Sequence, residues 1–225
     1  MDGPDSLDRA AIVSVLMTEQ YVLQGARSAL LTDLQGRANM FTTAVSSTLV
    51  ALALVGNIAK LGDAFQAFAF VMLPTLYVFG VGTYLRIAQI SVEDALRLRG
   101  LARIRHWYCE NAPSIAPLFL TSFHDDMPGL TWEMGVRPGV YQLFMATETV
   151  VALVDSVILG AIVAMFAVLR LHLGLTTAAI AGAACALISI GVLTRISMRM
   201  WENIDRDRPP MFPSTPENAR ASPPR

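Results

Sequence analysis

A chain of 225 residues is long enough for one ordinary domain or two small ones. Residues of the AVILMFWYC set make up 54% of it and charged residues 16%, with a mean hydropathy of +0.49; a typical soluble protein is roughly a quarter charged. These values exclude a disordered chain and a disulfide scaffold and point to a polytopic membrane protein, and a net charge of −1 argues against a nucleic-acid binder.

Segment 1–40 opens on Asp2, Asp5 and Asp8 and has no basic stretch before a short apolar core, so no secretory leader is expected. Residues 6–40 predict an amphipathic helix running into the first span, with Ile12, Leu16, Leu23, Leu30 and Leu34 at helical spacing. Gly25 and Gly36 weaken that helix by about 1 kcal/mol each relative to Ala. The stripe suits a membrane surface or a partner helix. Glu19 and Asp33 interrupt it, which favours packing.

Four stretches are long enough to cross a hydrocarbon core, which takes roughly 20 apolar residues. They are Phe41–Ala59, Phe65–Leu85, Leu143–Leu169 and Leu175–Thr194, and only the third carries charges inside, Glu148 and Asp155. The links around Lys60–Asp63 and Arg170–Gly174 are short. Each pair is therefore expected to form an antiparallel helical hairpin, over 41–85 and 143–194.

The connection 86–142 is expected to be a cytoplasmic helical insertion, with a second helix over 88–111. Glu93 and Arg97 there form a favourable i,i+4 pair. Arg97, Arg99, Arg103 and Arg105, next to Trp107 and Tyr108, are candidates for contact with anionic lipid or an anionic small-molecule ligand. Topology-setting charge is the plainer reading of the same row. Pro113, Pro117, Pro128 and Gly129 then break the chain, and the apolar stretch Ile115–Phe123 between them is too short to span. Segment 195–225 is expected to be a helix end followed by a disordered tail, since 205–225 holds six of the twelve prolines.

Charge sets the orientation. Arg9, Arg27 and Arg37 in 1–40, six Arg in 86–142 and six in 195–225 make fifteen cations, against Lys60 and Arg170 in the two short links. Both termini and the central connection are therefore expected in the cytoplasm. Sixteen Arg to one Lys is the codon bias of a GC-rich genome, so the expected location is a bacterial cytoplasmic membrane. Cys109 and Cys185 are not expected to form a disulfide framework, since Cys185 lies inside an apolar run and Cys109 in the cytoplasmic connection, where thiols stay reduced.

Asp155 and Glu148 are the candidate intramembrane pathway residues, together with Asn57. An acid inside a span costs roughly 3 kcal/mol and usually faces the bundle interior. Seven residues apart, the two acids share a helix face. The structural alternative is a protonated Asp155 hydrogen-bonded to Asn57, Ser46, Ser47 or Thr83. His106, Cys109, His124 and Asp125, with Asp126, are a weak metal set, since no CxxC or HExxH pattern supports them. No Walker loop, nucleophile elbow or GxGxxG occurs, so neither enzymatic chemistry nor a cofactor is expected. Ala178, Gly182 and Ala186, and beside them Ala179 and Ala183, form small-residue rows suited to close packing inside the bundle or to a homo-oligomer.

The stretches TEQYVLQGARSALLTDLQGRANMFTTAVSSTLVALALVG and RIAQISVEDALRLRGLARIRHWYCENAPSIAPLFLTSFHDD resemble a family of uncharacterised integral membrane proteins of actinobacteria over roughly residues 17–126, most distinctively Arg103–Asp126. That resemblance brings no activity or site to transfer. The order of amphipathic helix, two spans and helix is also similar in layout to SLATT-type and Pycsar-type membrane effectors, from which two further spans depart. The sequence thus reads as an all-α bundle of four transmembrane helices with a cytoplasmic helical layer. Its expected role is non-enzymatic and self-associating, in contact with the lipid bilayer. The alternatives are a pore or channel-type effector gated by a cytoplasmic signal and a scaffold for a cytoplasmic protein.

Overall fold

The computed structural model describes residues 8–135 and 147–214. Arg137, the beginning of the third predicted span at 143–146 and the tail beyond 214 lie outside them. The described residues are all-helical, with no strand among them. The elements are α1 (Arg9–Ile58), α2 (Asp63–Asn111), a 3-10 helix (Pro113–Leu118), α3 (Met127–Glu133), α4 (Thr147–Leu171) and α5 (Leu175–Asp207). Four of them, α1, α2, α4 and α5, are long and apolar enough to cross a membrane.

The predicted amphipathic helix and first span are one uninterrupted helix of 50 residues, about 75 Å at 1.5 Å per residue. Gly25 and Gly36 remain helical, and a Cβ at either would meet nothing within 4 Å. Pro74 sits inside α2 and withdraws one amide from its ladder without ending the helix. Between α1 and α2, Lys60 and Leu61 are both left-handed, at φ 48° and 58°. The Leu61 amide donates to the Gly56 carbonyl at 3.1 Å, the six-to-one bond of a Schellman ending. His172, at φ 52°, ends α4 in the same left-handed way.

The chain divides into two compact units. The first, among the described residues, comprises 8–32, 91–135 and 203–214. Its buried apolar residues include Ala95, Leu98, Leu101, Leu130 and Ile204. Arg27 grips Asp94 with two bonds, Nε to Oδ1 at 2.7 Å and Nη2 to Oδ2 at 3.2 Å. Asp126 caps α3 by accepting from the Gly129 amide at 3.0 Å.

The second unit comprises 33–90 and 147–202. Its core gathers Phe41, Leu76, Tyr84, Ile87, Val151, Ala152, Ile158 and Leu193. α4 and α5 meet where Gly160 faces Gly182. A Cβ on Gly160 would lie 2.7 Å from the Gly182 carbonyl oxygen and 3.2 Å from the Ala186 Cβ. The Gly182 row is therefore used inside the chain, whereas Ala179 and Ala183 stay exposed. Ser156 donates to Ser189 across the same pair of helices at 3.1 Å.

The expectation of a disordered tail from residue 205 fails for 205–214. α5 continues to Asp207, and the residues after it are tied to the first unit by side chains described next. Proline content alone does not decide disorder where buried acceptors wait for the backbone amides between the prolines.

Candidate functional site

The buried face of α4 carries Val151, Ala152, Asp155, Ser156 and Gly160. Asp155 lies on it fully buried, and neither of its carboxylate oxygens has a hydrogen-bond partner among the described residues. It rests against Gly80 of α2, at the point where a Cβ on that glycine would collide with its Oδ1 and come within 2.8 Å of Phe41 Cε2. The neighbours expected from the sequence are not there. Ser46 and Ser47 donate back to the carbonyls of Thr42 and Thr43 in their own helix, at 2.9 and 2.8 Å. Asn57 is exposed. Thr83 is buried, and no hydrogen bond ties it to Asp155.

Glu148 lies in the first turn of α4, two turns before Asp155 and on the same face, about 10 Å along the axis. Ser197 donates to its Oε1 at 3.4 Å, while Oε2 is buried without a partner among the described residues. Glu148 opens onto a cleft of about 360 Å³ lined also by Tyr84, Ala152, Ser197, Met198 and Trp201. The α5 wall places Thr194, Ser197, Met198 and Trp201 at i, i+3, i+4 and i+7, one helix face. The Tyr84 hydroxyl donates to the Leu193 carbonyl at 2.8 Å. Sequence reasoning missed Gly80, Tyr84, Ser189, Ser197 and Trp201. The available signals were weak ones, namely polar residues inside or just beyond the apolar spans and a tryptophan near a span end.

The arginine row of α2 is engaged by the chain itself. Arg99, 2% exposed, pairs with Asp205 and donates to the Arg208 carbonyl at 2.7 Å. Arg103 Nε donates to Asp125 Oδ2 at 2.7 Å and Nη2 to the Pro209 carbonyl at 3.3 Å. Arg105 forks onto Glu133 at 2.5 and 3.0 Å and also donates to the Ser122 carbonyl. Arg97 reaches the Glu93 carbonyl at 3.0 Å and its carboxylate at 4.0 Å. An external anion at Arg99, Arg103 or Arg105 would have to displace these partners.

The weak metal set does not assemble. Among the described residues no three His, Cys, Asp or Glu side chains come together to hold an ion. Asp125 is fully buried and accepts from the Met211 amide at 2.9 Å and the Phe212 amide at 2.7 Å besides Arg103. Burial pushes its carboxyl up, but these three donors outweigh burial and hold it below the ordinary range. His106 stacks on Phe212 with centroids 3.9 Å apart and stands 6.3 Å from the ring of His124. Burial raises the Cys109 thiol, against the opposing charge of Arg105, so the sulfur is not poised as a thiolate ligand.

No family model, curated protein or solved structure matches the chain.

Proposed function

We propose that the chain is a multi-pass protein of a bacterial cytoplasmic membrane, crossing the bilayer as two antiparallel hairpins, and that the Glu148–Asp155 face of α4 handles protons in transit without covalent chemistry. Two features support insertion. In α1, α2 and α5 only 17% of the most apolar window is buried within the protein, so most of that surface faces outward and needs an apolar solvent. The fifteen cations outside the short links against two within them orient both termini and the 86–142 connection to the cytoplasm. A reporter fused after Asp63 or His172 should then report periplasmic, and one fused after Asp126 or Arg225 cytoplasmic. A periplasmic signal from the Asp126 fusion sinks the four-span topology.

The observation that carries the functional part is Asp155, fully buried on both oxygens with no donor among the described residues. Buried polar groups in folded proteins nearly always find a partner, and acids inside membrane helices mark ion or proton paths. A structural carboxyl holds a hydrogen bond, whereas Ser46 and Ser47 donate within their own helix and Asn57 is exposed. Purified protein in liposomes should therefore dissipate an imposed pH gradient. Asp155→Asn, which keeps the shape, should fold normally and lower the flux by roughly tenfold or more, as losing a proton-transferring group does. Wild-type liposomes that hold the gradient as well as empty ones would refute proton handling while leaving the topology standing.

A further inference from the structure

We infer that the cleft at Glu148 is a binding site for a small hydrophobic organic cation, an ammonium or quaternary ammonium group bearing apolar substituents. The inference goes beyond proton handling and does not depend on flux through Asp155. The volume of about 360 Å³ lies within the range of small-molecule sites, roughly 300–1,000 Å³. Its walls come from three helices of one compact unit, Tyr84 from α2, Glu148 and Ala152 from α4, and Met198 and Trp201 from α5.

The chemistry of the lining selects the charge. Glu148 presents a buried oxygen that nothing described bonds, and its other oxygen has only the long contact from Ser197. Glu202 adds a second carboxylate to the lining, and no Lys or Arg is among the lining residues. An anion would meet two carboxylates and no cation. A neutral apolar ligand would leave the buried Glu148 Oε2 without a partner, which is costly. A monocation meets both needs.

The rest of the lining selects the kind of cation. A hard metal ion asks for about six oxygen ligands, carboxylates foremost; among the described residues no three His, Cys, Asp or Glu side chains gather to hold one, and the remaining side-chain oxygens of the lining are the hydroxyls of Tyr84, Thr149, Thr194 and Ser197. The Tyr84 proton is committed to Leu193, so Tyr84 brings its ring and not a donor. Aromatic rings, tryptophan above all, attract ammonium groups through their faces, and Met198 adds a soft, adaptable wall. A soft cation with apolar groups fits that set, with Glu148 as counter-ion.

The test uses the full chain in detergent with Trp107 and Trp132 replaced by Phe, so that fluorescence reports Trp201 alone. Benzyltrimethylammonium should change that signal saturably, and benzenesulfonate, of similar size and opposite charge, should not. Glu148→Gln should weaken binding by about tenfold or more, the size expected when a buried charge loses its partner. Met198→Trp, read by calorimetry, should fill the cleft and abolish binding even if Glu148→Gln folds poorly. Asp155→Asn should bind as wild type does, which separates this site from the proton path. A lipid headgroup carries the same ammonium chemistry. Competition in phosphatidylethanolamine nanodiscs that is missing in phosphatidylglycerol would identify the headgroup as the source, and equal binding in both a free cation. No saturable binding, equal binding of the sulfonate, or binding unaffected by both cleft variants overturns the assignment.

Discussion

Gly80→Ala should destabilise the purified protein by about 1–3 kcal/mol, the usual range for overpacking a filled site, whereas Gly82→Ala two residues on should be neutral or stabilising. Both glycines lie in α2. In an open helix position Ala is favoured over Gly by about 0.8–1 kcal/mol, and nothing stands within 4 Å of a Cβ at Gly82. At Gly80 the added methyl would occupy the place of the Asp155 carboxylate and press on Phe41. Asp155 cannot retreat easily, because Ser156 beside it is tied to Ser189. The pair is therefore coupled. Adding Asp155→Ala to Gly80→Ala should recover much of the loss, and the double-mutant cycle should show a clear interaction energy. Thermal unfolding in one detergent measures the wild type, both glycine variants, Asp155→Ala and the double variant. Equal melting temperatures for Gly80→Ala and Gly82→Ala would mean that α2 and α4 do not meet at Asp155.

The Gly80 contact marks where sequence reading stops. The four apolar helices follow from length and hydropathy, because a long uncharged run leaves few other structures. The continuity of α1 through residue 40 and of α2 through residue 88 was legible as well, since helical spacing does not break at either place. What sequence could not supply was the partner of each singled-out residue. Asp155 was matched to neighbours with polar side chains, but its neighbour is a glycine, which presents no side chain to read. The arginine row carried both a topology-setting and an anion-contact reading, because its carboxylates lie far off in the chain. Asp125 is 22 residues from Arg103, and Asp205 is 106 from Arg99. The Gly182 row showed that something approaches closely, and the facing Gly160 decides that the approach is internal. The prolines of the tail hid an ordered stretch, because the amides of Met211, Phe212 and Ser214 find acceptors in Asp125 and Asp126.

That tail anchor should fail when Asp125 is removed. Asp125 accepts three hydrogen bonds, from Arg103 Nε and the amides of Met211 and Phe212. Its own amide donates to the Phe212 carbonyl at 3.3 Å, so side chain and backbone clasp the same dipeptide. Breaking a buried ion pair by deleting one partner costs about 3–5 kcal/mol. Arg103 keeps access to water, its side chain being 35% exposed against 0% for Asp125, which places Asp125→Ala at the lower end of that range. Asp126→Ala should release Ser214 and weaken the start of α3 by about 1 kcal/mol, the usual value of a helix cap. The pH dependence follows from the lowered folded-state pKa of Asp125. Its stabilisation is fully present above the unfolded value of about 3.9 and is lost as pH falls through the lower folded value. Hydrogen exchange read peptide by peptide should show 208–214 protected at neutral pH, with the protection lost in acid or on Asp125→Ala. The His106–Phe212 stack should open with it, because Phe212 is held in place through its backbone. Unchanged protection of 208–214 in Asp125→Ala would show that the tail is held by other contacts and that Asp125 does not anchor it.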